Sequence, residues 1–96
     1  MRSNDRPKGA SAADVERAHE DSLAAHRRAA ETHGRAADLH QEAADLQEEH
    51  AVEMRGIGAE DKAVRAERRA DKERQLASAE RVSADQERRK AEEADG

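Results

Sequence analysis

The chain repeats a seven-residue unit whose small apolar positions are almost all alanine. Successive copies in the first half are Ala25–Glu31, Thr32–Asp38, Leu39–Asp45 and Leu46–Val52. The second half repeats as Ala70–Leu76, Ala77–Ser83 and Ala84–Lys90. An apolar repeat of seven residues is typical of helices that pack with a left-handed supercoil. The repeat therefore predicts two helical halves that pack against other helices.

Lettering the repeat a to g places the apolar positions of the first half in three columns. The d column is Ala18, Ala25, Thr32, Leu39 and Leu46. The a column is Ser22, Ala29, Ala36, Ala43 and His50, and the b column is Leu23, Ala30, Ala37, Ala44 and Ala51. The second half has one alanine column, at Ala63, Ala70, Ala77, Ala84 and Ala91. From the a and d columns of the first half, together with two large aliphatic residues of the second half, we predict an interaction seam of eight residues: Ala25, Ala29, Ala36, Leu39, Ala43, Leu46, Val64 and Leu76.

Composition limits the core that such helices can build. Of 33 residues that count as hydrophobic, 22 are alanine, and the chain has no Phe, Tyr or Trp. Each large aliphatic side chain contributes roughly 1.5–3 kcal/mol on burial, and only eleven are present. We therefore expect the ordered form to be an oligomer, most simply a dimer that makes a four-helix arrangement.

Helix-capping residues and glycines divide the chain into four segments. Residues 1–10, which contain Pro7 and Gly9, are expected to form a disordered tail. Ser11 is a good N-cap, because its hydroxyl can accept the amide of Asp14. We predict helix 1 over 11–55, a Gly-Ile-Gly turn over 56–58 and helix 2 over 59–95.

Charge blocks favour an all-α, long two-helix antiparallel hairpin with coiled-coil-like, alanine-rich heptads. Residues 36–54 hold six acidic residues and no Lys or Arg, whereas residues 62–74 hold six basic residues against three acidic ones. Folding the chain about Ile57 places these blocks side by side. The same fold would pair Leu39 with Leu76 and Val52 with Val64.

A helical hairpin of about a hundred residues with a glycine-containing turn resembles, in its layout, the small secreted WXG-type proteins of Gram-positive bacteria. The turn Trp and the C-terminal Tyr signal of those proteins are absent from this sequence. In composition the chain is also similar to the hydrophilin and late-embryogenesis-abundant stress proteins, which often repeat every eleven residues rather than every seven. Neither resemblance carries a functional residue over to this chain.

Four histidines form a further column, at His19, His26, His33 and His40, and a fifth, His50, lies in the a column. Seven residues of helix rise about 10.5 Å, while ligands of one zinc ion lie about 2.1 Å from it, so we predict no metal site within one chain. A metal bridging the columns of two subunits remains open. If packing between alanines disfavours the charged imidazoles, the assembly is pH-sensitive and loses stability as the pH falls below about 6.5. We expect this sign for His26 and His33, which have no acidic neighbour three or four residues away. An acidic neighbour would reverse the sign, and Glu16 lies near His19 and Glu53 near His50.

Other classes of function have little support in the sequence. The serines lack the surroundings of a nucleophile, Gly56-Ile57-Gly58 is not a phosphate-binding loop, and no cysteine is present. A net charge of −5 without aromatic residues argues against nucleic acid, and an alanine face binds membranes poorly. We therefore expect no enzyme, no cofactor, no small-molecule substrate and a cytoplasmic location.

Two functions remain from different classes. The first is a non-catalytic helical interaction module that self-associates or packs against the helices of a partner. The alternative is a conditionally helical, largely disordered, hydrophilin-like stress protectant.

Overall fold

The computed structural model describes residues 11–95, which form two α-helices, α1 (Ala12–Gly56) and α2 (Glu60–Asp95). α2 folds back along α1, so the two helices run antiparallel and contact each other along their length. The radius of gyration, 22.8 Å, is well above the roughly 13 Å of a compact domain of this length. The predicted all-α hairpin is confirmed. The predicted tail, residues 1–10, lies outside the described residues.

The start of α1 is fixed by a reciprocal cap. The amide of Asp14 donates to the Ser11 hydroxyl at 3.2 Å, and the amide of Ser11 donates to the Asp14 carboxylate at 3.1 Å. These bonds satisfy two backbone groups that the first helical turn leaves without partners. They also hold the pKa of Asp14 below its usual range, because the Ser11 amide and hydroxyl stabilise the carboxylate.

The end of α1 is closed by Gly58, which adopts φ +78°. The Gly58 amide donates to the Arg55 carbonyl at 3.1 Å, and the Ala59 amide donates to the Met54 carbonyl at 2.8 Å. This bond pattern around a left-handed glycine is the Schellman motif. The turn therefore comprises only Ile57, Gly58 and Ala59 before α2 begins at Glu60.

Alanine forms the contact between the two helices. The buried residues of α1 are Ala30, Ala37, Ala44 and Ala51, and those of α2 are Ala63, Ala66, Ala70, Ala77, Ala84 and Ala91. No large side chain is fully buried among residues 11–95. Because alanine side chains are small, the two helix backbones lie close together. The longer side chains therefore lie on the two flanks of the interface. Within that range, neither helix is long and apolar enough to cross a membrane.

The hairpin uses the b column of α1 as its interior, and not the a and d columns. Leu39 is 66% exposed and Val52 is 70% exposed. The predicted pairing of Leu39 with Leu76 and of Val52 with Val64 as apolar core contacts is therefore wrong. The physical reason is that α2 approaches a column of alanines closely, and side chains larger than alanine would hold the two helices apart.

Two glycines should respond to alanine substitution with opposite signs. Gly58→Ala forces a side chain into a left-handed conformation, so we expect the free energy of unfolding to fall by about 1–2 kcal/mol. Gly34→Ala lies inside α1, with nothing within 4 Å of the new methyl group, and should raise that free energy by about 0.5–1 kcal/mol. Urea unfolding followed by circular dichroism measures both. A Gly58→Ala protein as stable as the wild type would contradict the turn geometry.

Candidate functional site

Three histidines of α1 each contact a glutamate of α2. Nδ1 of His26 lies 2.7 Å from Oε2 of Glu87, and Nδ1 of His33 lies 2.7 Å from Oε2 of Glu80. The third pair joins Nδ1 of His40 and Oε2 of Glu73 at 2.8 Å. We call these three pairs the His–Glu ladder.

The ladder follows from the repeat and from the antiparallel fold. Each step of seven residues up α1 is matched by a step of seven residues down α2, so one well-placed pair is repeated along the hairpin. The alanine columns hold the helices close enough for the short glutamate and imidazole side chains to meet beside the interface. The three imidazoles are 30–37% exposed and the three carboxylates 20–29% exposed, so the ladder is half-buried.

The chemistry of each His–Glu pair shows which ring nitrogen of the histidine carries a hydrogen. An ionised carboxylate only accepts hydrogen bonds, so Nδ1 of each imidazole must carry the hydrogen. The hydrogen bond from His26 lowers the pKa of Glu87 below its usual range, and the ammonium of Lys90, 3.7 Å from Glu87, acts in the same direction. Because the acceptor is an ionised carboxylate, each bond of the ladder is charge-assisted.

The other flank of the alanine interface carries a mixed set of ion pairs. Arg55 bonds Glu67 through both guanidinium NH groups, at 3.0 and 3.1 Å, and bonds Glu60 through Nε at 2.9 Å. These carboxylates raise the pKa of Arg55, while the Arg55 guanidinium lowers that of Glu67. Glu48 pairs with Arg74 on the same flank. That pair is the one ion pair that joins the predicted acidic and basic blocks within residues 11–95.

The His–Glu ladder stops where its partner column on α2 changes to alanine. Continuing the register beyond His40, Gln47 lies level with Ala66, and Oε1 of Gln47 is buried without a hydrogen-bond partner among the described residues. At the other end, His19 lies level with Ala94 and is exposed. His50 is exposed in the a column. Of the five histidines singled out in the sequence, the structure therefore brings three into the ladder.

The glutamates of the ladder were missed by the sequence analysis, although a signal for them exists. Glu73, Glu80 and Glu87 recur every seven residues, as the histidines do. Folding about Ile57 places the two columns opposite each other to within a residue. The expectation that His26 and His33 lack acidic neighbours considered contacts within α1 alone. Each carboxylate comes instead from the facing helix.

The spacing of the ladder does not bring its imidazoles to one metal ion. Successive pairs are about 10.5 Å apart along the helix, which is too far for their imidazoles to share one ion. No group of three His, Cys, Asp or Glu side chains that could hold a metal lies within residues 11–95. A surface depression on the opposite flank is lined by Glu48, Arg55, Glu67 and Arg74, whose charges are paired with one another.

The predicted interaction seam lies mostly outside the hairpin interface. Ala25, Leu39, Leu46 and Leu76 are exposed, while Ala29, Ala36, Ala43 and Val64 are half-buried. At 100° per residue, the middle of the a and d columns of α1 points about 130° away from the b column. We call the a and d columns of α1 together the a/d face. Its use as a binding surface stays a prediction.

Glu87→Gln should make the free energy of unfolding depend less on pH under acidic conditions. Because the pKa of Glu87 is lowered in the folded chain, this carboxylate stabilises the hairpin above its unfolded value of about 4.5, and that contribution is lost as the pH falls further. The stability advantage of the wild type over Glu87→Gln should therefore shrink between pH 6 and pH 3 in urea titrations. Glu93→Gln, which alters an exposed acid on the same helix, is the control. A constant advantage would contradict the pairing.

Replacing all three glutamates tests the contribution of the whole ladder. In the triple variant with glutamine in place of Glu73, Glu80 and Glu87, each imidazole faces a neutral amide instead of a carboxylate. Hydrogen bonds to a charged group are stronger than those between neutral groups, so we expect the free energy of unfolding at pH 7.5 to be lower than in the wild type. Urea unfolding followed by circular dichroism measures the difference. A triple variant as stable as the wild type would show that the ladder does not stabilise the hairpin.

Comparisons with known proteins add no relative. No protein-family model matches the chain, and neither the curated proteins nor the solved structures contain a match.

Proposed function

We propose that the protein is a non-catalytic helical interaction module that binds other helices through the a/d face of α1. The observation that carries this proposal is the division of α1 into two faces. The b column and its two flanks are occupied by α2, while a second heptad face, about 130° away, has no helix against it among residues 11–95. A sustained a/d repeat is the pattern by which helices pack into coiled coils.

The large side chains of the a/d face support this proposal. Leu39 and Leu46 are 66% and 65% exposed, and they lie seven residues apart on one line of α1. A single exposed leucine is ordinary on a protein surface. Two leucines spaced by one heptad, beside the half-buried Ala36 and Ala43, give large side chains next to shallow depressions. Such a surface suits knobs-into-holes packing with a facing helix.

The His–Glu ladder supplies the pH-sensitive part of the proposal. Its imidazoles occupy the e column, which borders the a/d face on one side and the alanine interface on the other. A change in their protonation therefore acts at the edge of both surfaces. Since the imidazoles are about one-third exposed, solvent screens the effect, and we expect it to modulate binding rather than to switch it completely.

The alternative function is that of a hydrophilin-like protectant that is helical only under some conditions. It is favoured by the absence of fully buried large side chains within residues 11–95. Circular dichroism at low micromolar concentration separates the two. A cooperative melt whose midpoint rises with protein concentration supports the module, while weak helicity that increases only in trifluoroethanol or on drying supports the protectant.

Leu39→Ala combined with Leu46→Ala tests the binding face. Both side chains point away from α2, so each change should alter the unfolding of an isolated hairpin by no more than about 0.5 kcal/mol. In an assembly that buries them, each leucine contributes about 1.5–3 kcal/mol. We therefore expect helicity to be kept and the assembly to weaken by at least about a hundredfold, as measured by sedimentation equilibrium.

The matched control replaces two exposed aliphatic residues outside the a/d face, Val52→Ala with Val82→Ala. This pair should leave the assembly unchanged. Equal weakening by both pairs would indicate non-specific hydrophobic association. An assembly that is insensitive to the leucine pair would contradict the proposed binding face.

A further inference from the structure

We infer that the helix occupying the a/d face is α1 of a second copy of this chain, in antiparallel orientation about a two-fold axis near residues 37 and 38. This inference rests on the proposed function and names the partner of the same face. Two patterns on α1 support it, one of charge and one of side-chain size. Each pattern is complementary to the same pattern on a second α1 that runs in the opposite direction.

The charge pattern lies in the g column, along the edge of the a/d face opposite the histidines. Its central residues read Arg28, Arg35, Glu42 and Glu49, and all four are exposed. None of them makes an ion pair with another residue of the described range 11–95. In an antiparallel helix pair the g column of one helix faces the g column of the other. Arg28 then meets Glu49 of the second copy and Arg35 meets Glu42, which gives four ion pairs in the dimer.

The size pattern independently favours the same antiparallel orientation. In antiparallel heptads an a position packs opposite a d position, and the alignment that pairs the charges places Leu39 on Ala36 of the second copy. Leu46 then packs on Ala29, and Thr32 packs on Ala43. Every central layer combines one small and one larger side chain, so the layers have similar volumes. Large side chains opposite small ones fill an interface without voids or overlap.

Other registers and orientations have weaker charge complementarity. A shift of one heptad keeps only two of the four Arg–Glu pairs, and it places Glu42 opposite Glu42 or, in the other direction, Arg35 opposite Arg35. In a parallel pair the g column faces the e column, so Arg28 and Arg35 meet His33 and His40, and leucine stacks on leucine between layers of alanine alone. Like-charged pairs are disfavoured at such edges. Exposed ion pairs contribute only about 0–1 kcal/mol each, so they select the orientation, while the leucines supply affinity.

Charge exchange tests this partner directly. One variant carries Arg28→Glu and Arg35→Glu, and the other carries Glu42→Arg and Glu49→Arg. Each g column then has one sign, so we expect the dimerisation constant of each variant alone to weaken at least about tenfold. An equimolar mixture should recover a dimer of one chain of each kind, identified by native mass spectrometry. Combining all four changes should restore the homodimer.

Two controls separate this result from misfolding and from general charge effects. Circular dichroism should show unchanged helicity, because the four residues lie outside the alanine interface. Arg68→Glu with Arg89→Glu makes the same change in net charge at exposed positions of α2 and should leave dimerisation unchanged. A spin label attached through Asp21→Cys measures orientation: the axial separation of the two labels is about 50 Å in the antiparallel dimer, against a distance near 10 Å in a parallel one.

The outcomes distinguish this inference from the proposed function. A wild-type protein that stays monomeric at high micromolar concentration removes the second copy as the occupant, and so does a label distance near 10 Å. If the double leucine variant loses association but the charge-exchange variants do not, the a/d face remains the binding surface and the antiparallel register is wrong. If neither set of substitutions weakens association, the proposed function itself is wrong.

Discussion

The close contact between alanine columns is the constraint on which the rest of the hairpin depends. Ala37 and Ala44 of α1 and Ala77 and Ala84 of α2 are almost completely buried, yet a methyl group buries too little area to contribute much free energy. Its effect is geometric, because small side chains let the backbones approach. That approach brings imidazoles and carboxylates on the flank to within 2.8 Å of each other, so polar pairs complete the interface.

Because α2 contacts α1 along one narrow column of alanines, most of the surface of α1 stays exposed. In α1 the repeat places alanine in both the a and the b columns, and the structure uses only the b column for α2. A compact domain would bury both. Here the alanines of the second column are only half-buried, and Leu39 and Leu46 beside them are exposed. The heptad repeat therefore leaves α1 with a second apolar face, the a/d face, outside the hairpin interface.

The elements that could be predicted from the sequence are set by local chemistry or by the charge pattern. The charge blocks on either side of the turn favour the antiparallel fold. The Ser11 cap and the glycine turn follow from residues that are close in the sequence. The buried column of α1 did not, because the doublets Ala29-Ala30, Ala36-Ala37 and Ala43-Ala44 offer two equivalent columns. Their chemistry is identical, and only contacts with α2 distinguish them. The role of Glu73, Glu80 and Glu87 likewise depends on contacts between the two helices, which the repeat of a single helix does not show.

The position of the histidines gives the two faces a physical connection. The e column lies between the b column and the a/d face, so His26, His33 and His40 pack beside Ala37 and its neighbours on one side and beside Ala36 and its neighbours on the other. The glutamates of α2 hold these three imidazoles in place through hydrogen bonds of 2.7–2.8 Å. The contact that forms the hairpin therefore also fixes the side chains along one edge of the a/d face. A helix bound to that face, as proposed, would meet an edge whose geometry α2 has already set.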